Sequence, residues 1–211
     1  MSSRATLSLS TDGPAASHLP RLERQLRFIL EIDRLKGILR RTLLTDGSRH
    51  ENSAEHSWHL ALMAVVLAEH AAEPVAVDRV VRLLLVHDLV EIDAGDTFVY
   101  DAAGHADKQQ REQCCAERLF ALLPAEQGAE LRALWDEFEE RATPEARFAA
   151  ALDRLQPILH NMATAGHSWR HHGITAEQVL DHNRHMAHGA PALWEHVRRL
   201  VDAAVEQGWL G

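Results

Sequence analysis

The pair His87-Asp88 closes a very apolar run, Val-Val-Arg-Leu-Leu-Leu-Val, at residues 80–86. An imidazole beside a carboxylate suits a divalent metal such as Mn, Fe, Co, Ni or Zn, whereas Mg prefers oxygen alone. Neighbours on a helix point about 100° apart, so one ion can take both only where the helix begins to unwind. A helix that simply ends in polar residues explains Asp88 easily and His87 less well. Other residues of the same chemistry lie nearby in sequence. His56 ends the string Glu-Asn-Ser-Ala-Glu-His, residues 51–56, near the start of a predicted helix. Glu91 follows Asp88 by three residues and His87 by four, on their side of any continuing helical turn. Asp96 follows Gly95 in the next loop. Asp153 interrupts the apolar string Ala-Ala-Leu-Asp-Arg-Leu-Gln-Pro-Ile-Leu. A carboxylate there is costly unless it is paired or bound to a metal. Taken alone, a salt bridge with Arg147 or within the helix accounts for it.

These side chains must be held by helices. Apolar residues recur at helical spacing nearly throughout, and strand signals are almost absent. Leu22, Leu26, Ile29 and Leu30 mark a helix over about 20–36, and a polar, basic link covers 40–52. Ser53 is the expected N-cap of a second helix through about Ala72. The third, about 80–90, is expected to be the buried central helix. Further helices are expected at about 106–123, 125–141, 143–165, 175–188 and 191–207, with a polar stretch from Gly166 to Gly173. The reading is an all-α bundle of seven or eight helices in one domain. It covers 20–211, with a core at 22–165 and C-terminal helices at 175–208, and residues 1–19 form a flexible tail.

Of the 211 residues, 46% are hydrophobic, enough for a real core. The net charge of -9 argues against a nucleic-acid polymer as partner. It leaves room for a small anion at a local basic cluster, and Arg34, Lys36, Arg40, Arg41 and Arg49 supply one. Cys114 and Cys115 are adjacent, which disfavours a disulfide. They read as buried or half-buried thiols of a cytoplasmic protein. No stretch is apolar and long enough to cross a membrane.

His56, His87-Asp88 and Asp153, in that order, resemble the H…HD…D metal signature of the HD superfamily. The strings EIDRLKGILRRT, ENSAEHSWHLALMAVVLAEHA and RLLLVHDLVEIDAGDT resemble the branch of the bacterial 5′-deoxyribonucleotidases and the HD-domain-containing-2 proteins. The resemblance covers roughly residues 22–165. It implies an enzyme, a phosphoric monoester hydrolase acting on nucleoside 5′-monophosphates as a homodimer. It implies one divalent metal ion (Co, Mn, Fe, Ni, Zn or Mg) on His56, His87, Asp88 and Asp153. Glu91 would serve the attacking water as general base or orienter, and Asp96 would hold substrate or water. Arg40 stands where the family binds phosphate. The family tryptophan beside it is replaced here by Arg41, which puts the 2′-deoxy preference in doubt and adds a cation that either suits a second phosphate or simply faces solvent. Such a metal polarises a phosphoryl oxygen and acidifies water, carboxylates move protons, and arginine grips phosphate through two nitrogens.

Only His105 lies between Asp88 and Asp153 among the histidines, and the resemblance then favours one metal over two. His59 reads as packed or solvated, and His182, His185 and His188 as a solvated helix face. Lys108 and Glu112 read as structural or outer residues of the site, and Trp58 and Trp135 as core. Two other functions are weighed. One is hydrolysis of nucleoside di- or triphosphates or of a nucleotide-like metabolite. The other is a non-catalytic nucleotide sensor, which would bind without turnover.

Overall fold

A computed structural model describes residues 20–100 and 107–211. The expected tail at 1–19, and His105 with Gly104, lie outside the described residues. The architecture is all-α with one small hairpin. Among the described residues, eight helices have eight residues or more: α1 (Arg21–Ile32), α2 (Ser53–Leu67), α3 (Val77–Val86), α5 (Lys108–Phe120), α6 (Ala125–Glu140), α7 (Pro144–Ala163), α9 (Ala176–Asn183) and α11 (Pro191–Glu206). Three short helices stand between them: α4 (Glu91–Ala94), α8 (His167–His172) and α10 (Met186–Gly189).

The local chemistry explains most boundaries. α2 is capped by Asn52, not Ser53: the Asn52 side chain accepts from the Glu55 N–H, and Glu55 reaches back to the Asn52 N–H. That reciprocal pair satisfies two helix-end donors at once. α7 begins on Thr143, whose hydroxyl accepts from the Ala146 N–H, with Pro144 in its first turn, where a proline loses no bond.

Two further expectations change. The link at 40–52 is an antiparallel hairpin of β1 (Leu39–Leu43) and β2 (His50–Asn52). The central helix is α7, not α3. α7 buries Phe148, Leu152, Leu155 and Ile158, while α3 leaves Leu85 48% exposed. α7 packs against α2, α3, α6, α10 and β1, so every element near its middle meets there. α10 approaches so closely that a Cβ on Gly189 would lie 2.1 Å from the Arg147 carbonyl oxygen.

Candidate functional site

The chain tightens where α3 ends. The Leu89 N–H bonds to the Val86 carbonyl at 3.1 Å, and the Glu91 N–H to the Asp88 carbonyl at 3.0 Å. These three-residue steps replace the four-residue steps of the helix and bring His87 and Asp88 to one centre. His87 Nε2 lies 3.1 Å from Asp88 Oδ1 and 3.7 Å from Asp153 Oδ1. His56, on the first turns of α2, sets its Nε2 2.9 Å from Asp153 Oδ1 and 4.0 Å from Asp88 Oδ2. Three elements, α2, the α3 terminus and α7, thus bring the four residues together, all buried.

The ring orientations fit a metal. His87 Nδ1 meets the Leu84 carbonyl at 2.8 Å, and a carbonyl only accepts, so Nδ1 carries the proton. Its Nε2 is buried and makes no hydrogen bond, despite the two carboxylates nearby. His56 Nδ1 faces Gln156 Oε1 at 3.2 Å. Gln156 Nε2 in turn donates to Glu51 Oε1 at 2.6 Å, which fixes the amide. Both imidazoles therefore turn Nε2 toward the carboxylates. His56, His87 and Asp88 alone offer ligand atoms within 4.8 Å of one another, and Asp153 adjoins them. This donor set could hold a divalent ion.

Charge follows the geometry. Burial alone would depress His87, but Asp88 and then Asp153 raise its pKa to about 9. Asp153 sits well below the carboxylate range, because Arg154, His56 and His87 outweigh its burial. Glu91 is pushed well above that range by burial and then by Asp88; Ser53 Oγ donates to it at 2.6 Å. Asp96 is also raised, chiefly by burial. Arg40, on β1, donates to Asp88 Oδ2 at 2.9 Å and lies 3.8 Å from both Asp96 Oδ1 and Glu51 Oε2. Its pKa rises despite burial, under the charges of Asp88, Glu91 and Asp96.

One cavity is lined by Arg40, Arg41, His87, Asp88, Glu91, Asp96 and Asp153. His56 lies behind this surface, fully buried. Arg41 is exposed at the rim. Lys108 and Glu112 line the cavity as a pair 2.8 Å apart. Asp153 pairs with Arg154 at 3.2 Å, whereas Arg147 turns to Glu73. The late histidines are not one solvated face: His182 and His185 are half-buried and only His188 is exposed. Trp135 is core, but Trp58 is 63% exposed. Cys115 is buried and Cys114 exposed. His59 is half-buried, and with Glu51 and His160 it makes a second cluster of metal-ligating types around Gln156 Nε2. Sequence reasoning missed Gln156, Arg141, Arg154 and the wall of Phe98, Tyr100 and Trp169. Arg154 sits in the string that singled out Asp153, and its position next to that carboxylate was the available signal.

A family model described as HD domain matches residues 32–194. The chain belongs to the HD-domain family. A crystal structure of a predicted metal-dependent phosphohydrolase from Magnetospirillum magnetotacticum MS-1 is 55% identical, with a TM-score of 0.87 over 90% of this HD chain and 96% of that one. The 5′-deoxynucleotidase HDDC2 of Homo sapiens is 34% identical over 138 residues, and that of Bos taurus 35% over 141. Those alignments take in 63% and 64% of this chain and 66% and 67% of the relatives, so the HD chain spans about two thirds of their length. A conserved hypothetical protein from Pyrococcus furiosus, 20% identical with a TM-score of 0.58 over 86% of this chain and 99% of that one, shares the fold.

Proposed function

We propose that this HD protein is a metal-dependent phosphohydrolase that removes phosphate from nucleoside 5′-monophosphates. The observation that carries the reading is the convergence of His56, His87, Asp88 and Asp153, with both imidazoles presenting Nε2 to the carboxylates. The 5′-deoxynucleotidase names of the curated relatives support the substrate class. We assign one divalent ion to those four residues, of a kind suited to mixed nitrogen and oxygen donors. His56, His87, Asp88 and Asp153 would hold that ion, which would supply positive charge for a phosphoryl oxygen.

The chain's own residues do the rest. Arg40 is rigidly placed by Asp88, and its guanidinium takes the phosphate oxygens as they gain charge. Glu91 holds the attacking water and accepts its proton, its basicity raised by burial and by Asp88. Asp96, 3.8 Å from Arg40, orients water or sugar at the cavity mouth. We further propose that the protein is a cytoplasmic homodimer. No described helix is long and apolar enough to cross a membrane, and apolar faces of α1 and α2 stand exposed.

The test is phosphate release by metal-stripped protein resupplied with Co, Mn, Mg or Zn, across ribo- and deoxyribonucleoside mono-, di- and triphosphates. Release from 5′-monophosphates is expected, and Asp88→Ala should lose metal and activity together. Tight nucleotide binding without turnover under every metal would replace the reading with a sensor.

A further inference from the structure

The cavity beside the metal-ligand residues is lined by five cations: Arg40, Arg41, Lys108, Arg141 and Arg154. Their partners divide them. Arg40 is neutralised by Asp88, with Asp96 and Glu51 close by, and Lys108 by Glu112. Arg41 stands in solvent at the rim. Arg141 has no carboxylate within salt-bridge distance among the described residues, and its Nε is buried without a hydrogen-bond partner. Arg154 shares Asp153, which already accepts from His56, and its own Nε is buried and unpartnered as well. Among the described residues its Nη1 otherwise meets His182 Nε2, at 3.3 Å.

Among the described residues no other carboxylate forms an ion pair with this end, though Asp153 and Glu139 act on Arg141 from a distance. Glu139 lines the cavity too, yet it makes no ion pair with either arginine. Burial first, and the Arg154 charge second, pull the Arg141 guanidinium below the ordinary arginine value. His185 sits beside them with a buried, unpartnered Nε2. Burial and the two arginines hold it to about 4, so it is neutral and adds a polar wall without adding charge. Arg141 also closes α6 in the left-handed region, at φ 52 and ψ 29. Glycine occupies such a position at lower cost, so the backbone there does not explain the arginine.

A half-buried guanidinium whose buried Nε lacks a partner, and whose charge is shared with at most one carboxylate, is stabilised when an anion joins it. A nucleoside 5′-monophosphate brings a single anionic group, and Arg40 with the metal-ligand residues accounts for it. We infer that Arg141 and Arg154 form a second anion subsite, and that the preferred substrate is a nucleotide-like phosphate ester bearing a second phosphoryl group. This rests on the phosphohydrolase reading for the first phosphate. The cations of the cavity hold different carboxylates of the pair: Arg40 holds Asp88, and Arg154 holds Asp153. That placement favours a second phosphate separate from the scissile one, as in a nucleoside 3′,5′-bisphosphate, over a contiguous diphosphate.

The experiment measures equilibrium binding by titration calorimetry in a Glu91→Gln background, so that turnover does not intrude. The probes are deoxyadenosine 5′-monophosphate, deoxyadenosine 3′,5′-bisphosphate and deoxyadenosine 5′-diphosphate. The bisphosphate is expected to bind at least about tenfold tighter than the monophosphate, the scale of one added charge-assisted contact. Adding Arg141→Gly should bring that ratio to near one; glycine suits the left-handed backbone, and thermal melting checks that the variant folds. Bisphosphate and diphosphate both binding no tighter than the monophosphate before the substitution overturns the subsite, as does a preference that survives it. Equal weakening of all three ligands also overturns it, by placing Arg141 on the scissile phosphate. A preference confined to the diphosphate keeps the subsite and makes the second phosphate contiguous. If the wild-type protein releases phosphate from no nucleotide, the hydrolase reading falls, while the binding ratio still decides the subsite.

Discussion

Gln156 shows how much one uncharged side chain can control. Its Oε1 accepts from His56 Nδ1, and its Nε2 donates to Glu51 while facing His160 Nε2 at 3.1 Å. Glu51 is held ionised: burial opposes it, but His56, His160 and Arg40 bring its pKa below the usual value. An ionised carboxylate only accepts, so the amide cannot turn over, and His56 keeps its Nε2 lone pair toward Asp153 and the proposed metal position. Outer partners of this kind typically set metal affinity by about 10–100-fold. Gln156→Leu should therefore weaken metal binding by about that factor in competition with a chelator, and unchanged affinity would remove the relay. Glu91→Gln should do the reverse, keeping the metal and losing about 10²–10⁴ in turnover. The two residues differed in legibility. Glu91 is a carboxylate at helical spacing from His87-Asp88, readable from its type and position. Gln156 is an amide in an apolar helix whose partner lies 105 residues away, and nothing local marks it.

At the scale of elements, the long helices were legible because each carries its own periodicity and caps. The hairpin was not. β1 reads Leu-Arg-Arg-Thr-Leu and β2 only His-Glu-Asn, too short for an alternating pattern. It forms because the chain must return to α2, with the Ser53 N–H on the Ile38 carbonyl at 3.0 Å. That return presents Arg40 to Asp88, so the hairpin matters to the site despite its size. The burial of α3 was overestimated for a related reason: Leu85 stays exposed on a helix whose composition reads as all core. α10 offers the sharpest test of packing. A Cβ on Gly189 would meet Arg147 O at 2.1 Å and Arg147 C at 2.5 Å, and backbone cannot step aside as a side chain can. Gly189→Ala should force α10 off α7 and cost about 1–3 kcal/mol or more, read as a lower denaturant midpoint. An unchanged midpoint would mean that the contact relaxes freely. Trp58→Ala, at an exposed position, should leave the monomer's stability within about 0.5 kcal/mol.

The whole molecule leaves apolar surface uncovered in an ordered way. Leu22, Leu26 and Ile29 recur at helical spacing along α1, with Leu30 beside them, and all are more than half exposed. On α2, Trp58, Leu62, Val65 and Val66 do the same, from 49% to 64% exposed. Scattered exposed apolar residues are ordinary, but contiguous stripes mark surfaces that pair. The sequence pattern alone could not separate these stripes from core, because periodicity reports that a face is apolar and not what covers it. A second copy of the chain is the partner proposed above, and an isologous contact would bury each stripe twice. Light scattering of the purified protein should then give twice the 23.6 kDa chain mass. Charges placed in the stripe, as Leu62→Glu with Val66→Glu, should halve it. The residues proposed to hold the metal sit on α2, α7 and the end of α3, within one protomer, so the monomeric variant should still bind a divalent ion. A monomer before substitution would leave these stripes facing solvent, and a dimer that survives both charges would move the interface elsewhere.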